Sequence, residues 1–312
     1  MLTSAIFRAK AREILRNHWQ TALLIALAVN LPSLLVQGIS AFTGNDLFAR
    51  VETLVLSSAR DGVLTDQRLT AGLREILSDT GVLTMMGFSV LAWLIVPCLE
   101  LGMNHWLLLR VRGKDGPFST VFSRLSVSHK AIGLRLLVTL KILLWMLPGA
   151  GVFALSFLPV WRADPTNAAA VSSALNSTML LTYVSLAVML VPAVMAALRY
   201  ALADILLADL PEKRITDCVR ESKALMTGRK AQLFSLELSF IFWYLAEILV
   251  STMISGIGGN IPALMFQMLA GLALSAYMQA SVVVFAEALR KAPAASEIHS
   301  DDSPSDDEIF NS

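Results

Sequence analysis

Charge is scarce in this sequence: 16% of its 312 residues are Asp, Glu, Lys or Arg and 55% are apolar, whereas about a quarter of a soluble domain is charged. That deficit excludes an ordinary soluble domain, because the excess apolar surface needs lipid to cover it. Cysteine is nearly absent. Cys98 lies in an apolar run and Cys218 in a basic loop, at different depths, so no disulfide framework is available and both are expected as free thiols. The histidines, His18, His105, His129 and His299, have none of the short spacings that metal ligation requires. Catalytic constellations of Ser, His and Asp are missing, as is a Gly-rich loop to cradle phosphate. A non-enzymatic protein without metal or cofactor is expected.

What is abundant is long hydrophobic runs. Six stand out, Gln20 to Ala41, Leu83 to Leu108, Gly133 to Val160, Thr178 to Ala203, Gln232 to Ser255 and Ile261 to Ala286. At 1.5 Å per residue each crosses about 30 Å of hydrocarbon. The expected fold is all-α, a polytopic bundle of six transmembrane helices with amphipathic interfacial helices. Segments 1–19 read as a cytoplasmic amphipathic helix, 20–289 as the membrane domain and 290–312 as an acidic disordered tail. Within the membrane domain, 42–82 form an outer helical loop, and 109–132 and 204–231 form inner loops.

Orientation follows from the basic residues. Of the 25 Lys and Arg, seventeen fall in the N-terminal segment, the second and fourth loops and just after the last span; five fall on the other side. By the positive-inside rule both termini are expected in the cytoplasm, an N-in/C-in topology. The first segment carries Arg8, Arg12 and Arg16 beside an apolar face of Phe7, Ala11 and Ile14, as an interfacial helix does, and is expected to be retained rather than cleaved. Two more amphipathic helices are expected in the inner loops. One has the face Phe118, Val121, Phe122, Leu125; the other has Ile215, Cys218, Val219, Ser222, Leu225, Met226. Their basic faces suit the anionic inner leaflet, and without an aromatic stacking platform nucleic-acid binding is not expected.

The outer loop shows two further helical faces, with Asn45 and Thr65 as expected N-caps and Gly62 and Gly81 as stops. Asn176-Ser177-Thr178 matches a glycosylation acceptor. The tail carries six acids and no Lys or Arg after Lys291, so it is expected to stay solvated. "LAWLIVPCLELG" from Leu91 and "LAVMLVPAVMAA" from Leu186 align at one offset, and each leads through a basic loop to a span with a central tryptophan, Trp145 or Trp243, which suggests a parallel internal repeat.

The charges that do enter the spans are the sharpest signal. In "LFSLELSFIFWYLAEILV", from Leu233, eleven Leu, Ile, Phe and Val residues favour insertion by roughly 5 kcal/mol in sum, about what two central carboxylates, Glu237 and Glu247, would cost. Such carboxylates must face protein or water. Glu100, Lys141, Arg199 and Glu237 fall at comparable depth, with Arg135 and Asp204 nearer the surface. Two readings remain open: an interhelical ion-pair network that fixes helix neighbours, or a polar cavity open to the cytoplasm. Pro32, Pro97, Pro148 and Pro192 fall within four spans and suit kinked packing. Gly149, Gly151 and Ala154, and Gly271 with Ser275, mark close helix contact.

At "RESKALMTGRKAQLFSLELSFIFW" the sequence resembles the bacterial integral-membrane family known as domain of unknown function 975. The matching residues are Glu221, Ser222, Lys223, Leu225, Met226, Gly228, Lys230, Leu233, Phe234, Leu238, Ser239, Phe240, Ile241 and Trp243. Looser similarity covers the basic helix ending at Trp19, "RGKDGPFSTVF" and "RYALADILLADLP". The long outer loop, Phe242 and the acidic tail depart from the family pattern. The resemblance implies a multi-span protein of the bacterial inner membrane with no assigned activity. In this motif Gly228 is expected to end a surface helix, Lys230 to sit at the headgroups and Ser239 to bond within the bundle.

Two functions are therefore carried forward. One is a membrane protein that organises or assists membrane-protein partners; the alternative is a small-molecule or lipid transporter or permease component built around Glu100, Lys141, Arg199 and Glu237.

Overall fold

The computed structural model describes residues 4–60, 66–156, 158 and 168–291, and these are helical with no strand among them. The elements are α1 (Ser4–Leu15), α2 (Trp19–Thr43), α3 (Leu47–Arg60), α4 (Asp66–Ser78), α5 (Thr80–Val111), a 3-10 segment (Phe118–Val127), α6 (Ser128–Ser156), α7 (Ala168–Tyr200), α8 (Ala203–Asp209), α9 (Ile215–Leu225), α10 (Lys230–Gly258) and α11 (Asn260–Lys291). Six stretches are long and apolar enough to span a membrane: Trp19–Ser40, Thr80–Val111, Phe118–Ser156, Ser177–Asp209, Lys230–Gly258 and Ile261–Lys291. All six expected spans are present. Pro32, Pro97, Pro148 and Pro192 sit inside α2, α5, α6 and α7, each of which runs on through its proline.

The basic segments gather at one end of the bundle, called the basic end below. There α1 buries Phe7, Ala11 and Leu15, spaced by four residues on one helix face, against α11. Phe7 meets Phe285 edge-on at 5.2 Å, and the Tyr277 hydroxyl donates to the Arg8 carbonyl at 3.1 Å. The first helix is thus docked on the last.

Arg112, just past α5, joins three elements. Its guanidinium donates to Asp209 at 2.6 and 3.1 Å and to Glu287 at 3.0 and 3.2 Å, while Arg290 donates to Asp209 at 2.5 Å. These carboxylates raise the pKa of Arg112 above its ordinary value. Lys130 donates to the Pro211 carbonyl at 2.6 Å, tying the start of α6 to the loop before α9.

Several local expectations are corrected. "FSTVFSRL" forms a 3-10 segment rather than an α-helix, and only Val121 of its apolar face is buried. The reason is Gly102: a Cβ there would stand 1.8 Å from the Val121 carbonyl oxygen, so the segment's backbone lies directly on α5. In the outer loop α3 is capped by Asp46, whose carboxylate accepts from the Ala49 amide at 2.8 Å, while Asn45 accepts from Arg50 at 2.7 Å. Gly81 is no stop. It lies in the first turn of α5, where its amide donates to the capping Asp79 at 2.7 Å. Thr65, Gly62 and the tail from 292 lie outside the described residues, and the glycosylation-like tripeptide falls within α7.

Both cysteines are free and buried, and burial pushes the Cys218 thiol up. Of the small residues singled out, Gly149 packs on Met189 of α7 whereas nothing approaches Gly151.

Candidate functional site: a polar cavity at the basic end

Six helical segments turn polar side chains toward one cavity of about 310 Å³. On α5, Glu100, Met103 and Asn104 share one face; on α11, Ser275, Met278, Gln279 and Val282 follow the same three- and four-residue spacing. Asn30 comes from α2, Arg135 from α6 and Glu237 from α10. Asp204 arrives by a different route, because the chain breaks between α7 and α8 and restarts at Ala203.

That break is held by Ser222 of α9. Its buried hydroxyl accepts from the Leu202 amide at 3.3 Å and donates to the Arg199 carbonyl at 3.1 Å. Two backbone groups freed by the break are thereby satisfied. The serine of the family motif thus fixes the turn that delivers Asp204, which sits in the first turn of α8, the end where a helix favours negative charge.

The structure divides the four charges grouped by depth. Glu100 and Glu237 line the cavity; Lys141 and Arg199 do not. Lys141 stands 6.0 Å from the centre of the Tyr200 ring, and Arg199 5.8 Å from that of Trp145, placements suited to cation–π attraction. Glu100 pairs instead with Arg135. The expected pairing of two acids with these two bases is therefore replaced by one ion pair and two cations on aromatic rings.

Glu237 and Asp204 are left without an ion pair or hydrogen bond among the described residues. Three carboxylates and one guanidinium face the cavity, so it is anionic when all are charged. Asn104 and Gln279 close the wall with a hydrogen bond of 2.6 Å, and Asn30 donates to the Ala26 carbonyl at 2.8 Å, leaving its own oxygen free to accept. The volume far exceeds the ~10–15 Å³ that one water needs. An unpaired carboxylate away from water costs several kcal/mol, so Glu237 and Asp204 call for water, a proton or a cation.

The amides Asn30, Asn104 and Gln279 were missed in the sequence. The rule applied to charges, that a polar group within an apolar span faces protein or water, would have found them. The other motif residues serve packing or the surface. Phe240 is fully buried, edge-on to Tyr277 at 5.2 Å, and Met226 is buried; Trp243 and Phe234 are exposed. Glu221 pairs with Lys213 at 2.5 Å, Gly228 turns the chain after α9 with φ +73°, and Lys230 opens α10. Lys223 lies in the last turn of α9, where a cation suits the helix end. Ser239 bonds the Leu236 carbonyl of its own helix at 2.6 Å, not a neighbour.

Six apolar helices of spanning length around a polar interior define a multi-pass α-helical membrane protein. Residues 1–293 match the family described as Protein of unknown function (DUF975), and the chain belongs to it. Comparison with curated proteins and with solved structures gives no match.

Proposed function

We propose that the protein is a non-enzymatic membrane transport component, a permease or a part of one, whose cavity receives a small cation, a proton included, from the cytoplasm. The observation that carries this reading is the pair of unpartnered carboxylates, Glu237 and Asp204, beside a third that is already matched by Arg135. A purely structural network would gain by pairing them, since unmatched charge in a bundle is costly. In this reading, which the positive-inside rule supports, the basic end and both termini face the cytoplasm from a bacterial inner membrane, with the basic residues of α1 and α9 toward anionic lipids.

The test is electrical. Purified protein in liposomes on a supported membrane is exposed to concentration jumps of H⁺, Na⁺, K⁺ or methylammonium. A current for at least one of them is expected, reduced about tenfold or more in Glu237→Gln and Asp204→Asn. Absence of current for all four overturns the reading.

A second reading, a protein that assists membrane partners, draws on the outer helices. Phe48 and Leu56 on α3 and Leu73 and Leu77 on α4 remain exposed, although Leu54 packs over Gly72 where the two helices meet. Co-purification of a membrane protein that is lost on Phe48→Ser together with Leu56→Ser supports it; retention of every such protein contradicts it.

A further inference from the structure

The cavity continues away from the basic end. On α11, Gln267, Gly271, Ser275 and Gln279 recur every fourth residue and so share one slowly turning face. Opposite them on α2 stand Asn30 and Gln37, seven residues apart and on one face as well. A second cavity, of about 290 Å³, lies between these helices, lined by Gln37, Gln267 and Gly271; it shares Asn30 and Ser275 with the first. From Gln279 to Gln267 is about 18 Å along the helix, more than half of the ~30 Å hydrocarbon thickness.

Two features bear on what this seam can hold. The side-chain amides of Gln37 and Gln267, both exposed at the rim of the seam, have no hydrogen-bond partner among the described residues, and at membrane depth such amides call for water. And Glu247, the second carboxylate of α10, lines the neighbouring groove between α10 and α11 with Trp243 and Phe266, and comes up to the seam only at its one glycine. Its Oε1 stands 3.3 Å from where a Cβ on Gly271 would be, so any larger side chain would press against it. Glu247 likewise has no ion pair or hydrogen bond among the described residues. It lies about 15 Å beyond Glu237 along α10.

We infer that the α2–α11 seam is a hydrated path leading from the cavity to a second carboxylate station, Glu247 at Gly271, for a small monovalent cation or a proton. The path rests on the cation reading of the cavity. The proton and the metal or organic cation share one requirement, an ionisable oxygen at each station, and differ in whether a neutral amide abolishes every step.

The test uses full-length protein in sealed vesicles with Cys98→Ser and Cys218→Ser. One single cysteine is placed in the cavity, Met278→Cys, and another in the seam, Gln267→Cys. The probe is a membrane-impermeant trimethylammonium thiosulfonate added at the basic end, beside its sulfonate counterpart. Both sites are expected to react, and Gly271→Val is expected to slow the seam site about tenfold while changing the cavity site less than about twofold. Glu247→Gln, which keeps the shape, is expected to lower the cationic-over-anionic rate ratio at Gln267→Cys only.

Reaction at Met278→Cys without reaction at Gln267→Cys overturns the path and leaves the cavity reading standing. Reaction at Gln267→Cys only from the opposite side, indifferent to Gly271→Val, also overturns it, since the seam is then a separate groove. Silence at both sites in folded protein removes the cavity reading itself. Loss of current in Glu247→Gln for H⁺ alone identifies the proton as the passenger; loss for Na⁺, K⁺ or methylammonium identifies the cation.

Discussion

At the basic end Arg112 binds two carboxylates from two other elements, Arg290 adds a third contact, and α1 packs into the core; at the opposite end Arg50 reaches across from α3 to Asp79 at the start of α5. The spans differ in the same sense. In its most apolar stretch α11, the column of the basic end, is 44% buried, whereas the 3-10 segment and α6 are 6% buried there. The difference teaches where rigidity was placed. The end that carries unpaired carboxylates is held by ion pairs, while the far end and the α6–α7 hairpin meet their surroundings mainly with apolar side chains.

The sharpest way to break this contrast is through two glycines. Gly102→Ala forces a methyl into the Val121 backbone and is expected to cost about 3 kcal/mol or more, the upper end of overpacking, read as a fall in unfolding midpoint in detergent. Gly151→Ala meets nothing within 4 Å and is expected to leave the midpoint unchanged or raise it by up to ~1 kcal/mol. Equal losses would contradict the difference between the two regions.

Ion pairs give the next largest effect. Asp209→Asn strips the shared acceptor from Arg112 and Arg290 and is expected to cost about 2 kcal/mol, less than the ~3–5 of a fully buried pair because both arginines keep some solvent contact. Arg50→Gln at the far end should cost less than ~1 kcal/mol by the same assay. Reversal of that order would place the rigid end wrongly.

Cys218 sharpens the comparison chemically. Burial raises its thiol pKa and hides it, so at neutral pH it should react with N-ethylmaleimide about a hundredfold more slowly in the folded protein than after unfolding. The smallest effect concerns Asp79, whose pKa is held below 3.8 first by its hydrogen bond from Arg50 and then by the Gly81 amide. A lowered folded-state pKa means that its stabilisation is present above the ordinary carboxylate range and disappears as pH falls through the lowered value. Carboxyl-carbon NMR of Asp79 should titrate below 3.8 and move back toward it in Arg50→Gln.

Much of the architecture was legible because lipid imposes a strong code: six apolar runs gave six spans, and the motif around Ser222 gave the family. Charge pairing was less legible. Depth placed Glu100 near Lys141 and Arg199, but depth is one coordinate and the rotation of each helix is another. Rotation turned Lys141 and Arg199 onto Tyr200 and Trp145 and left Arg135 for Glu100. The same blindness covers Ile241. One turn beyond Glu237 on α10, it shares that carboxylate's helix face by spacing, yet it is exposed on the outside of the bundle. The docking of the 3-10 segment on Gly102 required a backbone contact between two consecutive elements folded back on each other, which periodicity does not encode.

The most direct measurement is the ratio of reaction rates of Met278→Cys with the cationic and the anionic thiosulfonate, each normalised to a free thiol in solution. An anionic, hydrated cavity predicts a ratio of about ten or more in favour of the cation, collapsing toward one when Glu237→Gln and Asp204→Asn are combined. A ratio near one with both carboxylates present, or no reaction until the protein is unfolded, would contradict a cavity that draws cations in.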